Sequence, residues 1–214
     1  MCRVTQQTSL ADRAGRWESI HAQRPAERAS WYQPSPEASL RLIEALGLPN
    51  DAAIIDVGGG ASTLVDHLLE RGRSELAVLD ISASALETAA QRVGYLAAVE
   101  WIRADILTWR PTRHYALWHD RAVFHFLVEV SERTAYLDTL DRALAPAGAL
   151  IIGTFAADGP QNCSGLPVMR YDADALGTVL GTGFEVVETL REQHVTPSGS
   201  KQPFTWVAAR RTPA

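Results

Sequence analysis

Three aspartates, a glycine run and two histidines carry the chemistry available to this sequence. Asp56 and Asp80 each close a short apolar run, Asp105 closes a stretch that reads as a third strand, and Gly58, Gly59 and Gly60 come just after the first. Glycines at that point let the backbone approach a ligand without a Cβ in the way, and a helix opening at Ser62 presents unpaired N–H groups. Asp80 stands twenty positions after Gly60, where a strand-end carboxylate accepts hydrogen bonds from ribose hydroxyls. A dinucleotide turn usually reads G-x-G-x-x-G, the third glycine serving close helix–strand packing. Here that third position is Thr63. The carboxylate of Asp56 would also repel a pyrophosphate, whereas it could pair with a cationic amino group. These residues describe a clamp for a nucleoside-bearing cofactor.

A second group lies further along. His119, Asp120 and Arg121 end another apolar run, and Phe124, His125 and Phe126 follow closely. His119 or His125 can act as a base near neutral pH, with Asp120 as orienting partner or second carboxylate. Structural alternatives stay open: Asp120 capping the next helix, Arg121 pairing with Asp120, His125 as a hydrogen-bonded core residue. The long loop after Gly153 adds Cys163, Arg170 and Tyr171, and loops of that length are often lids or binding loops. Arg170 could fork onto a substrate carboxylate. Cys163 is either an inert thiol or a contact for a soft atom such as sulfur, selenium or arsenic.

Placing these groups requires alternating strands and helices. The patterning predicts strands near 53–57, 75–79, 98–103, 115–119, 147–155, 183–190 and 203–210, and helices near 36–46, 62–71, 82–92, 131–144 and 172–180. That alternation implies a doubly wound α/β sheet, mostly parallel. The last two strands lack an intervening helix, so they should form an antiparallel hairpin through residues 196–200, whose tip either reaches the acceptor pocket or is a plain connection. Residues 1–16 are polar and are expected to be irregular and partly disordered.

Asp56-Val57-Gly58-Gly59-Gly60, Asp80, Asp105-Ile106 and the run ending at Asp120, in this order and spacing, resemble the class I S-adenosylmethionine-dependent methyltransferases, whose first motif usually reads D/E-x-G-x-G. The resemblance covers the chain from about Trp17 to about Val207. It implies a Rossmann-like seven-stranded sheet with an antiparallel final strand, and S-adenosylmethionine as cofactor with S-adenosylhomocysteine as product. It implies that Asp56, the glycine turn and Ser62 hold the methionine part, Asp80 with Ile81 the ribose, and Asp105 with Ile106 the adenine. The strand end at His119 would then lie under the methyl group. Many relatives carry Cys or Ser where this chain has Gly59, a change that removes no donor because the turn works through backbone.

Trp17-Glu18, His21 and Trp31-Tyr32 resemble the lead-in of the eukaryotic lysine methyltransferases acting on elongation factor and citrate synthase, where this segment folds over the cofactor. The alternative is an amphipathic arm anchored by its tryptophans. In that group the region of His119 to His125 reads E/D-K-G-T-L-D, a departure that weighs against a lysine acceptor here. The domain expectation is one methyltransferase domain over 1–214, with 1–35 as arm or lid and 36–214 as core. Trp31, Tyr32, Cys163, Arg170 and Tyr171 are the substrate candidates.

Composition limits the partners. With 214 residues and 46% hydrophobic content the chain can bury a full core without disulfides. A net charge of −5, with Lys201 as the only lysine, argues against a general phosphate-binding field and so against nucleic acid. No run is long enough to span a bilayer and no signal-peptide pattern opens the chain, so no membrane is expected and the cytoplasm is the default compartment. Cys2 and Cys163 are too few for a disulfide framework or a zinc site, so no metal is expected and both read as free thiols. A short acidic chain fits a small-molecule methyl acceptor; a protein lysine is the second reading and a catalytically silent cofactor-binding module the third.

Overall fold

In the computed structural model, which describes residues 10–23, 25–94 and 98–213, the element order is α1 (Leu10–Gln23), a 3-10 turn (Ala26–Arg28), α2 (Glu37–Ala45), β1 (Ile54–Val57), α3 (Leu64–Glu70), β2 (Leu76–Asp80), α4 (Ala83–Val93), β3 (Val99–Arg103) and β4 (Tyr115–Arg121). A second 3-10 turn (Phe124–Phe126) leads to α5 (Val130–Ala143), β5 (Leu144–Phe155), the small ribbon β6 (Asn162–Cys163) and β7 (Leu166–Pro167), α6 (Ala173–Leu180), β8 (Phe184–Val195) and β9 (Lys201–Arg211). The main sheet has seven strands in the order β3-β2-β1-β4-β5-β9-β8. Its first five are parallel, whereas β9 pairs antiparallel with both β5 and β8. This is the Rossmann-like arrangement, and the final hairpin closes through Thr196–Ser200 as the turn residues predict.

Strand alternation divides the core between two faces. Ile54, Val78, Leu117, Ile151 and Trp206 pack under α2 and α3. Ile55, Leu79, Trp118, Leu150 and Val207 pack on the other face with Tyr136 and Leu140 of α5 and Leu176 of α6. The helices start where the sequence offers caps. Ser82 Oγ accepts from the Ala85 N–H at 3.2 Å, Asp172 caps α6 in the same way, and Glu129 and Glu132 form a capping box on α5. Strand order reverses between β1 and β4, and in open α/β sheets ligands sit outside the carboxyl ends at such a switch point.

The expected irregular stretch at 1–16 needs correction over its second half, because α1 begins at Leu10. Its apolar stripe is thin, Leu10, Ala14, Trp17 and Ile20 among polar residues, so periodicity marks it weakly. Contacts to the body hold it instead: Arg13 bonds Asp105 and Glu132, and Glu18 accepts from the Ala83 and Ser84 N–H groups at 2.8 and 3.2 Å. Glu18 thereby helps cap α4 from outside, an acid at a helix N-terminus. Residues 1–9, including Cys2, lie outside the described residues.

Candidate active site

A cleft of 1180 Å³ opens at the carboxyl ends of β1, β2 and β4 and is roofed by α1 and the segment through Tyr32. Its floor is the glycine turn. Gly58 and Gly60 have φ of +65° and +46°, a region that L side chains rarely adopt. A Cβ at Gly60 would stand 2.8 Å from Asp80 Oδ2, and one at Gly59 2.5 Å from Asp56 Oδ2. The middle glycine is therefore required by the closeness of Asp56, which sequence reasoning did not foresee. The absence of three side chains leaves a cradle bordered by two carboxylates. That shape fits a ligand carrying an ammonium and a ribose.

Asp56 and His119 are directly paired across β1 and β4. His119 Nδ1 lies 2.7 Å from Asp56 Oδ1, and Nε2 lies 2.9 Å from Ser39 Oγ of α2; all three residues are buried. The Asp56 carboxylate oxygen is the natural acceptor for Nδ1–H, and Nε2 meets a Ser39 hydroxyl that can donate or accept. Ser39 was not singled out in the sequence, where it is one polar residue in an apolar helix. Asp80 Oδ1 accepts from the Ser82 N–H at 2.8 Å. Burial, with the charge of Asp56 nearby, raises its pKa to about 7. Asp105 Oδ1 accepts from the Leu107 N–H at 2.9 Å, while Oδ2 accepts two bonds from Arg13 at 2.9 and 3.1 Å. The carboxylate that the resemblance assigns to adenine is thus shared with the arm.

Asp56, Gly58, Gly59, Gly60, Ser62, Asp80, Ile81, Asp105, Ile106 and His119 all line the cleft. So do Trp17, Trp31, Tyr32 and Cys163, together with Pro197 and Ser198 at the tip of the last hairpin. Trp17 packs edge-on against Phe126 with ring centroids 5.0 Å apart and against Trp31 at 6.2 Å.

Four expected site residues stand elsewhere or serve otherwise. Asp120 follows His119 on the same strand and so points to the opposite face. There it accepts from the Tyr136 hydroxyl at 2.6 Å and from the Val123 and Phe124 N–H groups at 2.9 and 3.1 Å. It caps the following turn and cannot orient His119. His125 is fully buried between Phe126 and Phe155, with ring centroids 4.5 and 4.8 Å away. Burial, reinforced by the charge of Arg121, lowers its pKa to about 3. Arg170 donates to the Gly159 carbonyl at 3.1 Å and props its own loop. Tyr171 turns under Phe124 into the α5 and α6 face. None of the four lines the cleft.

Pairing of Arg121 with Asp120 was one of the structural alternatives left open. Two positions after His119, Arg121 returns to the cleft face instead, with Nη1 donating to the Trp31 carbonyl at 2.9 Å and the guanidinium over Phe204. Alternation along the strand was the signal that could have found it.

A sheet of this order, with a glycine cradle and acids at the ends of β1 and β2 and just beyond β3, defines a class I methyltransferase. Residues 54–148 match the family described as methyltransferase domain, and the chain is an S-adenosylmethionine-dependent methyltransferase. It is 28% identical to thiocyanate methyltransferase 1 of Arabidopsis thaliana over 74% of this chain and 69% of that one. The similarity to the thiocyanate methyltransferase 1 of Brassica oleracea is 30% over 52% of this chain, spanning 50% of that relative. Among solved structures, 1,6-didemethyltoxoflavin-N1-methyltransferase of Burkholderia thailandensis superposes with a TM-score of 0.68 at 19% identity, covering 97% of this chain and 92% of that one.

Proposed function

We propose that this methyltransferase acts on a small-molecule nucleophile seated beside the cofactor under the arm. The observation that carries this reading is the cleft itself. Its 1180 Å³ exceeds the roughly 300–1,000 Å³ of a single small-ligand site, leaving room for a second small ligand. In this reading residues 1–35 serve as lid and 36–214 as core. The name of the Arabidopsis relative adds weight to a small acceptor and makes thiocyanate a first compound to try.

The glycine turn and Ser62 would border the methionine part, Asp56 its ammonium, Asp80 the ribose, and Asp105 with Ile106 the adenine. Bound S-adenosylmethionine supplies an electrophilic methyl on a sulfonium. The chain must mainly hold the acceptor atom in line and exclude water. His119 is the one histidine of the original pair that borders the cleft, and Asp56 fixes its ring. A proton leaving the acceptor could pass to it through Ser39.

Calorimetric titration with S-adenosylmethionine, S-adenosylhomocysteine and NAD, followed by a screen for homocysteine-product release, tests this reading. Binding of the first two without NAD, and turnover on thiocyanate, thiols or carboxylates, is the expected result. Methyl-lysine on a protein without turnover of any small acceptor would overturn the small-molecule assignment. Asp80→Ala should weaken cofactor binding by about 1.5–3 kcal/mol, the range for a charge-assisted hydrogen bond; unchanged affinity removes Asp80 from the site.

A further inference from the structure

We propose that Arg121 holds the negative charge of an anionic methyl acceptor, an inference that rests on the methyltransferase reading above. Arg121 ends β4 on the cleft face, beyond His119. Of its three nitrogens, only Nη1 is partnered, by the Trp31 carbonyl of the arm. Nε and Nη2 are buried without a hydrogen-bond partner among the described residues. The acid whose charge acts on it most, Glu192, is already engaged by Gln33 Nε2 at 2.6 Å and Trp206 Nε1 at 2.8 Å. A guanidinium cannot escape burial by losing its proton; Glu192 and Asp56 offset part of its charge, but the two empty donors stay unbonded until an acceptor meets them.

The surroundings point the same way. Asp56, Asp80 and Asp105 line the cofactor end, where Arg13 already pairs with Asp105, while Arg121 stands at the end of β4, past the cradle. Arg16 of the arm donates to the Ser164 carbonyl at 3.2 Å beside Cys163, adding a second cation to that wall. Among the described residues, the two non-glycine positions with positive φ are Ala122 at 69° and Ser164 at 51°, and both line the cleft. Such strain persists where surrounding structure over-determines it and clusters at functional sites. Here it follows Arg121 immediately in the chain. The rings of Trp17, Trp31 and Phe126, packed on one another, add an apolar stretch to the same cleft, and Phe204 lies under the guanidinium at 4.8 Å. An acceptor with a compact anionic end and little other polarity matches this lining.

The test uses the full chain loaded with S-adenosylhomocysteine and two probes, nitrate and acetate. Each is titrated while the Arg121 Nε–H and the tryptophan indole N–H resonances are followed by nitrogen-15 NMR. A saturable shift of the Arg121 Nε–H is expected with at least one probe. Nitrate alone would assign a compact inorganic-type anion, acetate alone a carboxylate, and both together recognition by charge. Arg121→Gln should weaken that binding by ~10-fold or more, the loss expected for a charge-assisted bond, while Arg121→Lys retains part of it. Both variants should bind S-adenosylhomocysteine as the parent does, which reports that they fold. No saturable shift with either probe, or equal anion binding by Arg121→Gln, overturns the assignment. Failure of the unmodified chain to bind S-adenosylhomocysteine would instead overturn the cofactor reading.

Discussion

Asp80 and His125 are buried ionisable residues whose environments drive them in opposite directions, with opposite consequences. The Asp80 carboxyl, lifted to about 7 in the free protein, must be ionised to accept both ribose hydroxyls. Cofactor affinity should therefore rise by about tenfold between pH 6 and pH 8, with proton release on binding below pH 7. Calorimetry in buffers of different ionisation enthalpy reads that proton, and a flat affinity across the window would remove Asp80 from the coupling. His125 is held neutral with its pKa near 3, whereas the unfolded chain protonates it near 6.5. Its contribution is complete above pH 6.5 and is lost as pH falls toward 3. Between pH 7 and pH 5 this costs about 2 kcal/mol of folding stability. Asp80, which binds a proton more readily in the folded chain than in the unfolded one, shifts stability the opposite way over the same window, so the His125 loss is read as a difference. From pH 7 to pH 5 the stability from urea unfolding should change about 2 kcal/mol less favourably in the parent chain than in His125→Gln. At this scale the acids were legible in the sequence, because Asp56 and Asp80 each end an apolar run and Asp105 closes a stretch that reads as a third strand. The pairing of His119 with Asp120 was not, since neighbours on a strand face opposite ways and only the true partner, Asp56 on the adjacent strand, shares the face.

At the level of elements, the core strands and helices were readable to within a few residues, because apolar runs and caps mark their ends. Two elements exceeded their pattern for the same reason. β8 was expected to stop near 190 and continues to Val195, because backbone pairing with β9 carries it through Arg191, Glu192 and Gln193 without any apolar alternation. α1 likewise depends on distant partners, Arg13 on Asp105 and Glu18 on the start of α4. A helix held by few polar tethers opens more readily than one held by a buried stripe. Glu18→Ala should speed amide exchange of α1 and of the first turn of α4 by about fivefold, in line with the ~1 kcal/mol of a lost cap. Exchange that accelerates no more in α1 than in β5 would refute the tether.

For the whole molecule, cofactor binding and stability are linked, because the residues assigned to the cofactor sit at the ends of β1 and β2 and in the turn after β3 together. Saturation with S-adenosylhomocysteine at about 100 times its dissociation constant adds about 2.7 kcal/mol to folding, or roughly 5–10 °C in Tm for a chain of this size. Thermal unfolding with and without the ligand measures it, and an unchanged Tm would contradict specific binding to the native state. The mostly parallel sheet with its antiparallel last strand was legible because helices separate the earlier strands and none separates the last two. The acceptor end was not, since Arg121, Trp31 and Ser164 come together only through long-range closure of the arm and the loop after β5.

The position of β9 bears on how the protein is made. It is the last of the sheet strands in sequence, yet it lies inside the sheet between β5 and β8. During synthesis β5 emerges with one of its edges bare and apolar, and it stays so until residues 201–211 arrive. A ribosome pausing between these strands would hold a template for unwanted pairing. Completion of the native sheet therefore waits for residues 201–211, and premature termination upstream of β9 should yield aggregates instead of a smaller soluble fold.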